Sequence, residues 1–308
     1  MAVLVVGYQR AEEISKVIFS LSKFKPKKLY LAMDGPKNSQ KNNLCEEARS
    51  RALNAVNWDC ELITLFSELN HGPGKFMLLA IDWFFKKENQ GLILEDDILI
   101  HDQFYEFAKR FSSIKDLACV SACTFDNYLL NKEQEIKCFY SLIPSIWGWY
   151  TTKKIWHQFR HFKRKRESPI KYFFNLKKYI GFWQSFVFSM CLDYIDQGNL
   201  VGWDYEFAYF QIISRKISIY PSFCMAENIG NSPLAMHCES KDPISQTITN
   251  KRIQNKKSIL NPKLNKNYMS KQSLNTMMKE EYKIHAFKGL IKYFLKKIFL
   301  NLKSLIMN

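Results

Sequence analysis

Three consecutive carboxylates, Glu95-Asp96-Asp97, stand between two apolar runs, Gly91-Leu92-Ile93-Leu94 and Ile98-Leu99-Ile100. Such a triplet does not belong in the middle of a buried strand, because burying unpaired charge is very costly. It fits the end of a buried strand, where the chain turns out of a sheet. In open α/β sheets that edge is where ligands bind. Carboxylates there can hold a hard divalent cation, and the cation can hold a diphosphate.

The residues before the triplet supply the rest of such a sheet. Val3-Leu4-Val5-Val6 reads as a buried strand ended by Gly7. Ala11 to Lys23 reads as a helix, with Ile14, Val17, Ile18 and Leu21 on one face. Leu29 to Met33 is a second strand, ended by the turn Asp34-Gly35-Pro36. A helix over Cys45 to Val56, a strand over Glu61 to Phe66, and a helix over Phe76 to Phe85 follow, the last after the loop Asn70-His71-Gly72-Pro73-Gly74. Leu92-Ile93-Leu94 is the fourth strand. This alternation predicts an α/β fold with a mostly parallel, doubly wound sheet. Beyond the triplet, a helix is expected over Asp102 to Phe111, with further strands over Cys119 to Ala122 and Ile217 to Tyr220.

Composition and charge bound the function classes. The chain has 308 residues, 47% hydrophobic and 15% aromatic, so it can build a sizeable core and is not a disordered sequence. Its eight cysteines form no CxxC pair and read as reduced, mostly buried thiols of a cytoplasmic protein. The first apolar run, Ala2 to Val6, has the length of a strand and lacks the basic region of a secretion signal. No run reaches the roughly 18–20 apolar residues of a membrane span.

The net charge of +16 is unevenly placed. Residues 241–308 hold 15 Lys/Arg against three acids, and residues 153–178 hold ten against one. The asymmetry points to an anionic surface as partner. Nucleic acid is not expected, since neither a recognisable module nor aromatics interleaved on a sheet face are present. Lys241 to Tyr268 is Asn/Lys-rich and reads as a linker or loose tail. From His285 to Met307, Phe287, Ile291, Phe294, Ile298, Leu302 and Leu305 form one helical stripe, opposed by Lys288, Lys292, Lys296 and Lys303. Basic amphipathic helices of this kind lie in the interface of anionic membranes; the plainer alternative is a helix docked on the protein's own core.

Other candidate site residues follow from the same edge argument. Arg10 and Asp34 lie just past the ends of the first and second strands, so a parallel sheet brings both to the edge that carries Asp97. Asp34 could bind a base or ribose, and Arg10 could pair with phosphate or base. Gly202-Trp203-Asp204-Tyr205-Glu206-Phe207 sets two carboxylates in an aromatic wall, which can raise a pKa and seat a sugar ring. Either Asp204 or Glu206 could then act as general base. Trp147-Gly148-Trp149 offers indole faces for an acceptor carbohydrate, although core packing is the commoner fate of Trp. His237 is a candidate metal or phosphate ligand.

Taken in order, Arg10, Asp34, Glu95-Asp96-Asp97, Trp147-Gly148-Trp149, Trp203-Asp204, and Asn228-Ile229-Gly230 with His237 resemble the GT-A glycosyltransferases, specifically bacterial relatives of the N-acetylglucosaminyltransferase I group. The sharpest part is Ile93-Leu94-Glu95-Asp96-Asp97 followed by Phe104-Tyr105-Glu106-Phe107. The resemblance covers about residues 1–240. It implies a Rossmann-like GT-A domain with a nucleotide-sugar half, 1–115, and an acceptor half, 116–240, followed by a basic tail, 241–284, and a membrane-associating helix, 285–308.

Roles are implied position by position. Asp97, with His237 more loosely, would bind a divalent metal, Mn or Mg. Arg10, Asp34, Glu95 and Asp96 would contact the donor, Trp147, Gly148, Trp149 and Glu206 the acceptor, and Asp204 would be the catalytic base. The basic segment Phe159 to Lys178 would be an acceptor-side or membrane-side insertion. The expected function is an inverting, metal-dependent transfer from a UDP-sugar, such as UDP-N-acetylglucosamine, to a glycan or lipid-linked acceptor. It would take place at the inner face of a bacterial cytoplasmic membrane. Two rivals stand beside it. A sugar-phosphate nucleotidyltransferase would want a Gly-rich loop after the first strand, where Gly7-Tyr8-Gln9-Arg10-Ala11-Glu12 has one Gly. A non-enzymatic basic peripheral membrane protein is the other.

Overall fold

The computed structural model describes residues 1–111, 114, 116–124, 137–198, 202–221, 224–230 and 263–268. In the first half, β1 (Ala2–Gly7), α1 (Ala11–Leu21), β2 (Lys28–Met33), α2 (Ser39–Asn54), β3 (Glu61–Phe66), α3 (Pro73–Lys87) and β4 (Gln90–Glu95) alternate as the sequence predicts. There follow β5 (Ile98–Ile100), α4 (Asp102–Arg110), β6 (Leu117–Ser121), β7 (Lys137–Ser141) and β8 (Trp149–Thr152). Helices α5 (Lys153–His161), α6 (Pro169–Lys177), α7 (Phe182–Asp196) and α8 (Trp203–Ile213) come next. The last strands are β9 (Ile217–Pro221), β10 (Ala226–Asn228) and β11 (Lys263–Tyr268).

Nine strands form one sheet in the order β11-β7-β9-β6-β8-β4-β1-β2-β3. The run β4-β1-β2-β3 is parallel throughout. Strand β8 is antiparallel to β4 on one side and to β6 on the other. Beyond it, β6 and β9 are parallel, β7 is antiparallel to β9, and β11 is parallel to β7. A mostly parallel sheet covered by helices is a Rossmann-like α/β architecture. Separately, β5 and β10 form a two-stranded antiparallel ribbon.

Successive side chains of a strand point to opposite faces, and the apolar runs of β1, β2 and β4 feed both. Val3, Val5, Leu29, Leu31, Leu92 and Leu94 pack with Ile14, Val17 and Ile18 of α1 and Phe104 and Phe107 of α4. Leu4, Val6, Tyr30 and Ile93 pack on the other side with Phe76 and Phe84 of α3, Trp156 of α5 and Phe207 of α8. Burial of each such side chain contributes roughly 1.5–3 kcal/mol relative to exposure, so continuous apolar strands are stable only with both faces covered.

Three sequence expectations need correction. Helix α2 begins at Ser39 rather than Cys45, because Asn38 caps it, its Oδ1 accepting the Lys41 N–H at 3.2 Å. Glu95 is the last residue of β4, in register with Val6 of β1, so the first carboxylate of the triplet belongs to the strand. The stretch read as a linker contributes β11, whose Leu264 is in register with Cys138 of β7. The segment Phe159 to Lys178 is the end of α5, a loop and α6. Among the described residues no helix is long and apolar enough to cross a membrane. The expected helix at 285–308 lies outside the described residues.

Candidate active site

Parallel register sets the site. Gly7 of β1 is paired with Met33 of β2, and Val6 with Glu95 of β4. The chain therefore leaves all three strands at the same edge, carrying Tyr8 to Arg10, Asp34 and Asp96-Asp97 to one place. Trp149, which opens antiparallel β8, is in register with Ile93, so the Trp147-Gly148 approach lies at that edge too.

Arg10 stands between β1 and α1 and binds both aspartates of the triplet. Its Nη1 donates to Asp97 Oδ2 at 2.8 Å, and its Nη2 donates to Asp96 Oδ1. Asp96 Oδ2 also accepts the Tyr8 N–H at 3.2 Å. The triplet is held from the other side by the β5–β10 ribbon and by the Ile229 N–H, which donates to the Asp97 carbonyl at 2.8 Å. Gly230 closes the arrangement. A Cβ there would collide with Asp97 Oδ2 and stand 2.8 Å from Arg10 Nη1, so only glycine lets the backbone approach the ion pair this closely.

The edge carries more negative than positive charge. Burial, then the neighbouring Asp97 and Asp96, push the Glu95 carboxyl up to about 8; Arg10 opposes this and Asp204 adds to it. Burial also raises Asp96 to about 6, against the pull of Arg10. Burial works against the Arg10 charge, but Asp96 and Asp97 more than offset it and hold the guanidinium above its ordinary range.

Asp204 sits in the first turn of α8, half-buried. Burial raises it to about 6, opposed by the backbone N–H groups of Tyr205 and Asp204 and reinforced by Glu206. Glu206 is engaged elsewhere. Its Oε1 accepts from Arg164 Nη2 at 3.0 Å, and Arg164 also pairs with Asp196 at 2.7 Å. Of the two carboxylates left open by the sequence, Asp204 lies within electrostatic reach of Glu95, and Glu206 is tied to Arg164.

Some expected contacts are not what the structure makes. Asp34 reaches the predicted edge, but its carboxylate is used up as a loop anchor. Oδ1 accepts from the N–H of Gly35 at 2.9 Å and of His71 at 3.0 Å, and Oδ2 accepts from the N–H of Gly72 at 3.0 Å. It is 4% exposed and fixes the entry into α3 instead of presenting a free acceptor to a base or ribose. Trp149 is 2% exposed and stacks on Trp203 at a centroid distance of 6.1 Å, with Phe207 at 5.3 Å. Both indoles belong to the core, so neither offers a face to an acceptor sugar; they desolvate Asp204's helix instead. Trp147 is half-buried and remains at the rim. Gly148 has φ +70, and its carbonyl accepts the Ala122 N–H at 2.7 Å, tying this loop to the end of β6. His237 lies outside the described residues.

Sequence reasoning passed over Tyr8 and Gln9. The Tyr8 N–H holds Asp96, as above. Gln9 is 8% exposed, and its buried Oε1 has no hydrogen-bond partner. An unmet buried acceptor costs about 1–3 kcal/mol, and this one lies in the loop between β1 and α1. Its only sequence signal was a polar residue between a strand end and Arg10.

The donor set can be tested for a divalent cation. Clustered carboxylates are the hard oxygen ligands such an ion takes. Among the described residues no three His, Cys, Asp or Glu side chains converge as a complete metal cage. The set therefore fits an ion held by one or two carboxylates, with a ligand's phosphates completing the coordination.

No family model matches the chain, and no curated protein matches it. Solved structures of similar chain path include an inositol-1-phosphate CTP transferase from T. maritima, at 11% identity and TM-score 0.37, covering 81% of this chain and 96% of that one. The galactosyltransferase LgtC, in complex with donor and acceptor sugar analogs, matches at 11% identity and TM-score 0.36, covering 94% and 95%. A 4-diphosphocytidyl-2C-methyl-D-erythritol synthase from Anaerococcus prevotii matches at 8% identity and TM-score 0.31, covering 56% and 84%.

Proposed function

We propose that this chain is a nucleotide-sugar-dependent glycosyltransferase that transfers a sugar, with inversion, from a UDP-sugar such as UDP-N-acetylglucosamine to an acceptor hydroxyl. The observation that carries the reading is the ion pairing of Arg10 with Asp96 and Asp97 at the carboxyl edge of the sheet, beside Glu95 and within electrostatic reach of Asp204. Gln9 supplies an unmet acceptor for an N–H of the base. Protonated Glu95 supplies an O–H donor to the donor's sugar. Asp97, with Asp96, would hold a divalent cation, Mn or Mg, which when bound neutralises charge on a departing diphosphate.

In the reaction the bond between the sugar's anomeric carbon and the diphosphate oxygen breaks, and the electron pair leaves with the diphosphate. The acceptor oxygen bonds to the anomeric carbon from the opposite face, and its proton passes to Asp204. A carboxylate raised to about 6 is mostly ionised at neutral pH, yet basic enough for this step. The logic is that of inverting glycoside hydrolysis, where one carboxylate activates the nucleophile.

The nucleotidyltransferase reading is the weaker rival. Its triphosphate would need free backbone N–H groups after β1, whereas the Tyr8 N–H is already given to Asp96. A glycan or lipid-linked acceptor belongs to the proposal through the basic sequence 285–308 alone.

The test is Asp204→Asn, assayed for sugar transfer and, by calorimetry, for UDP binding with Mn. Transfer should fall by about 10²–10⁴, the range of a lost general base, with nucleotide affinity unchanged. Near-normal turnover would remove Asp204 from the mechanism, and failure of any nucleotide to bind the wild type would sink the whole reading.

A further inference from the structure

The turn between α6 and α7 carries large aromatic rings into solvent. Phe174 is 57% exposed, Phe182 52% and Trp183 53%, three of the seven large hydrophobic side chains exposed among the described residues. They form one patch: Phe173 lies 5.4 Å from Phe174 and 5.1 Å from Phe182, which lies 5.4 Å from Trp183, all between ring centroids. Soluble surfaces rarely keep contiguous rings exposed without a use for them.

Cations frame the patch. Lys177 Nζ sits 5.7 Å from the centroids of both Phe173 and Phe182. Lys171 and Lys178, three before and four after Phe174, share its helical face and are exposed. Exposed Lys163, Lys165 and Arg166 extend the charge along the preceding loop. The single acid of this stretch, Glu167, accepts from Asn175 Nδ2 at 2.9 Å. Arg164 faces inward and pins the loop to Asp196 of α7 and Glu206 of α8.

Aromatic rings beside lysines match the boundary between anionic headgroups and acyl chains. Bases stack by preference on sheet platforms, and these rings flank a helix–helix turn. We infer that the α6–α7 turn docks the protein on an anionic lipid bilayer, with Phe174, Phe182 and Trp183 entering the headgroup–acyl boundary and Lys171, Lys177 and Lys178 facing the headgroups. Arg164 couples this surface to α8, which carries Asp204. On the transferase reading above, docking would therefore present the acceptor side to a lipid-linked hydroxyl.

The docking itself is measured without nucleotide, so its failure and the failure of the transferase reading are separate results. The full chain is mixed with phosphatidylglycerol vesicles, with phosphatidylcholine vesicles as the uncharged reference. Wild type should partition onto the anionic vesicles, and F174S/F182S/W183S should lower that partition at least tenfold. Lys177→Gln and Lys178→Gln should each cost roughly fivefold.

Brominated lipid reports the patch even when other segments also bind. It should quench wild-type indole fluorescence, and W183F should lose most of that quenching while still partitioning. Equal quenching in W183F, or an unchanged partition of the triple variant, would overturn the inference. So would a Trp183 signal already shielded from iodide in the lipid-free chain, since a segment of the protein itself would then cover the patch.

Discussion

Replacing Glu95 with glutamine keeps the shape of a neutral carboxylic acid and removes its ability to ionise. In the folded protein, burial and the two neighbouring aspartates hold this carboxyl near about 8, against 4.5 ordinarily. Between those values the native state keeps a proton that the unfolded chain releases. Stability therefore falls as pH rises from about 4.5 and levels off above about 8. At pH 7 the cost is about 3 kcal/mol, and at pH 5 about 1 kcal/mol, from 1.36 kcal/mol per pH unit between the two values. Glutamine carries no such cost. Urea denaturation should find Glu95→Gln more stable than wild type by about 3 kcal/mol at pH 7, with the gap shrinking to about 1 kcal/mol at pH 5. A gap of the same size at both pH values, or a variant less stable at pH 7, would refute the claim that burial and the two aspartates keep Glu95 protonated at neutral pH.

Three further outcomes follow from the same geometry. Gly230→Ala should weaken UDP binding in the presence of Mn at least tenfold by calorimetry, because its Cβ displaces the Arg10–Asp97 pair. Trp149→Ala should cost about 3–5 kcal/mol in denaturant unfolding, as a large core truncation does, where a carbohydrate platform would instead have changed only acceptor KM. In transfer assays, activity should be lost as pH falls through about 6, since Asp204 must be ionised to take the acceptor's proton; a rate flat from pH 5 to 8 would contradict that role.

The parallel half of the sheet was legible because β1, β2 and β4 are nearly unbroken apolar runs, and their ends place Arg10 and the acidic triplet without further information. What was hidden depends on partners far away in sequence. Helix α2 opens with Ser39-Gln40-Lys41-Asn42-Asn43, which has no apolar period, and buries only Cys45, Ala48 and Ala52. Strand β8 is four residues long and is defined by its neighbours β4 and β6. Asp34 was found by position, but its work was not, because the N–H groups that consume it come from a loop more than thirty residues on. For Trp149 the sequence supplied an aromatic and could not supply a face. Strand β11 lies in an Asn/Lys-rich stretch whose composition argues for loop, and only its ladder with β7 makes it a strand.

Strand β8 has one more consequence. It is hydrogen-bonded to β4, which delivers the acidic triplet, and to β6, which begins the second half of the chain. The two parts of the sheet are therefore stitched together by a shared ladder. Opening them like the jaws of a clamp would tear backbone hydrogen bonds out of a buried sheet.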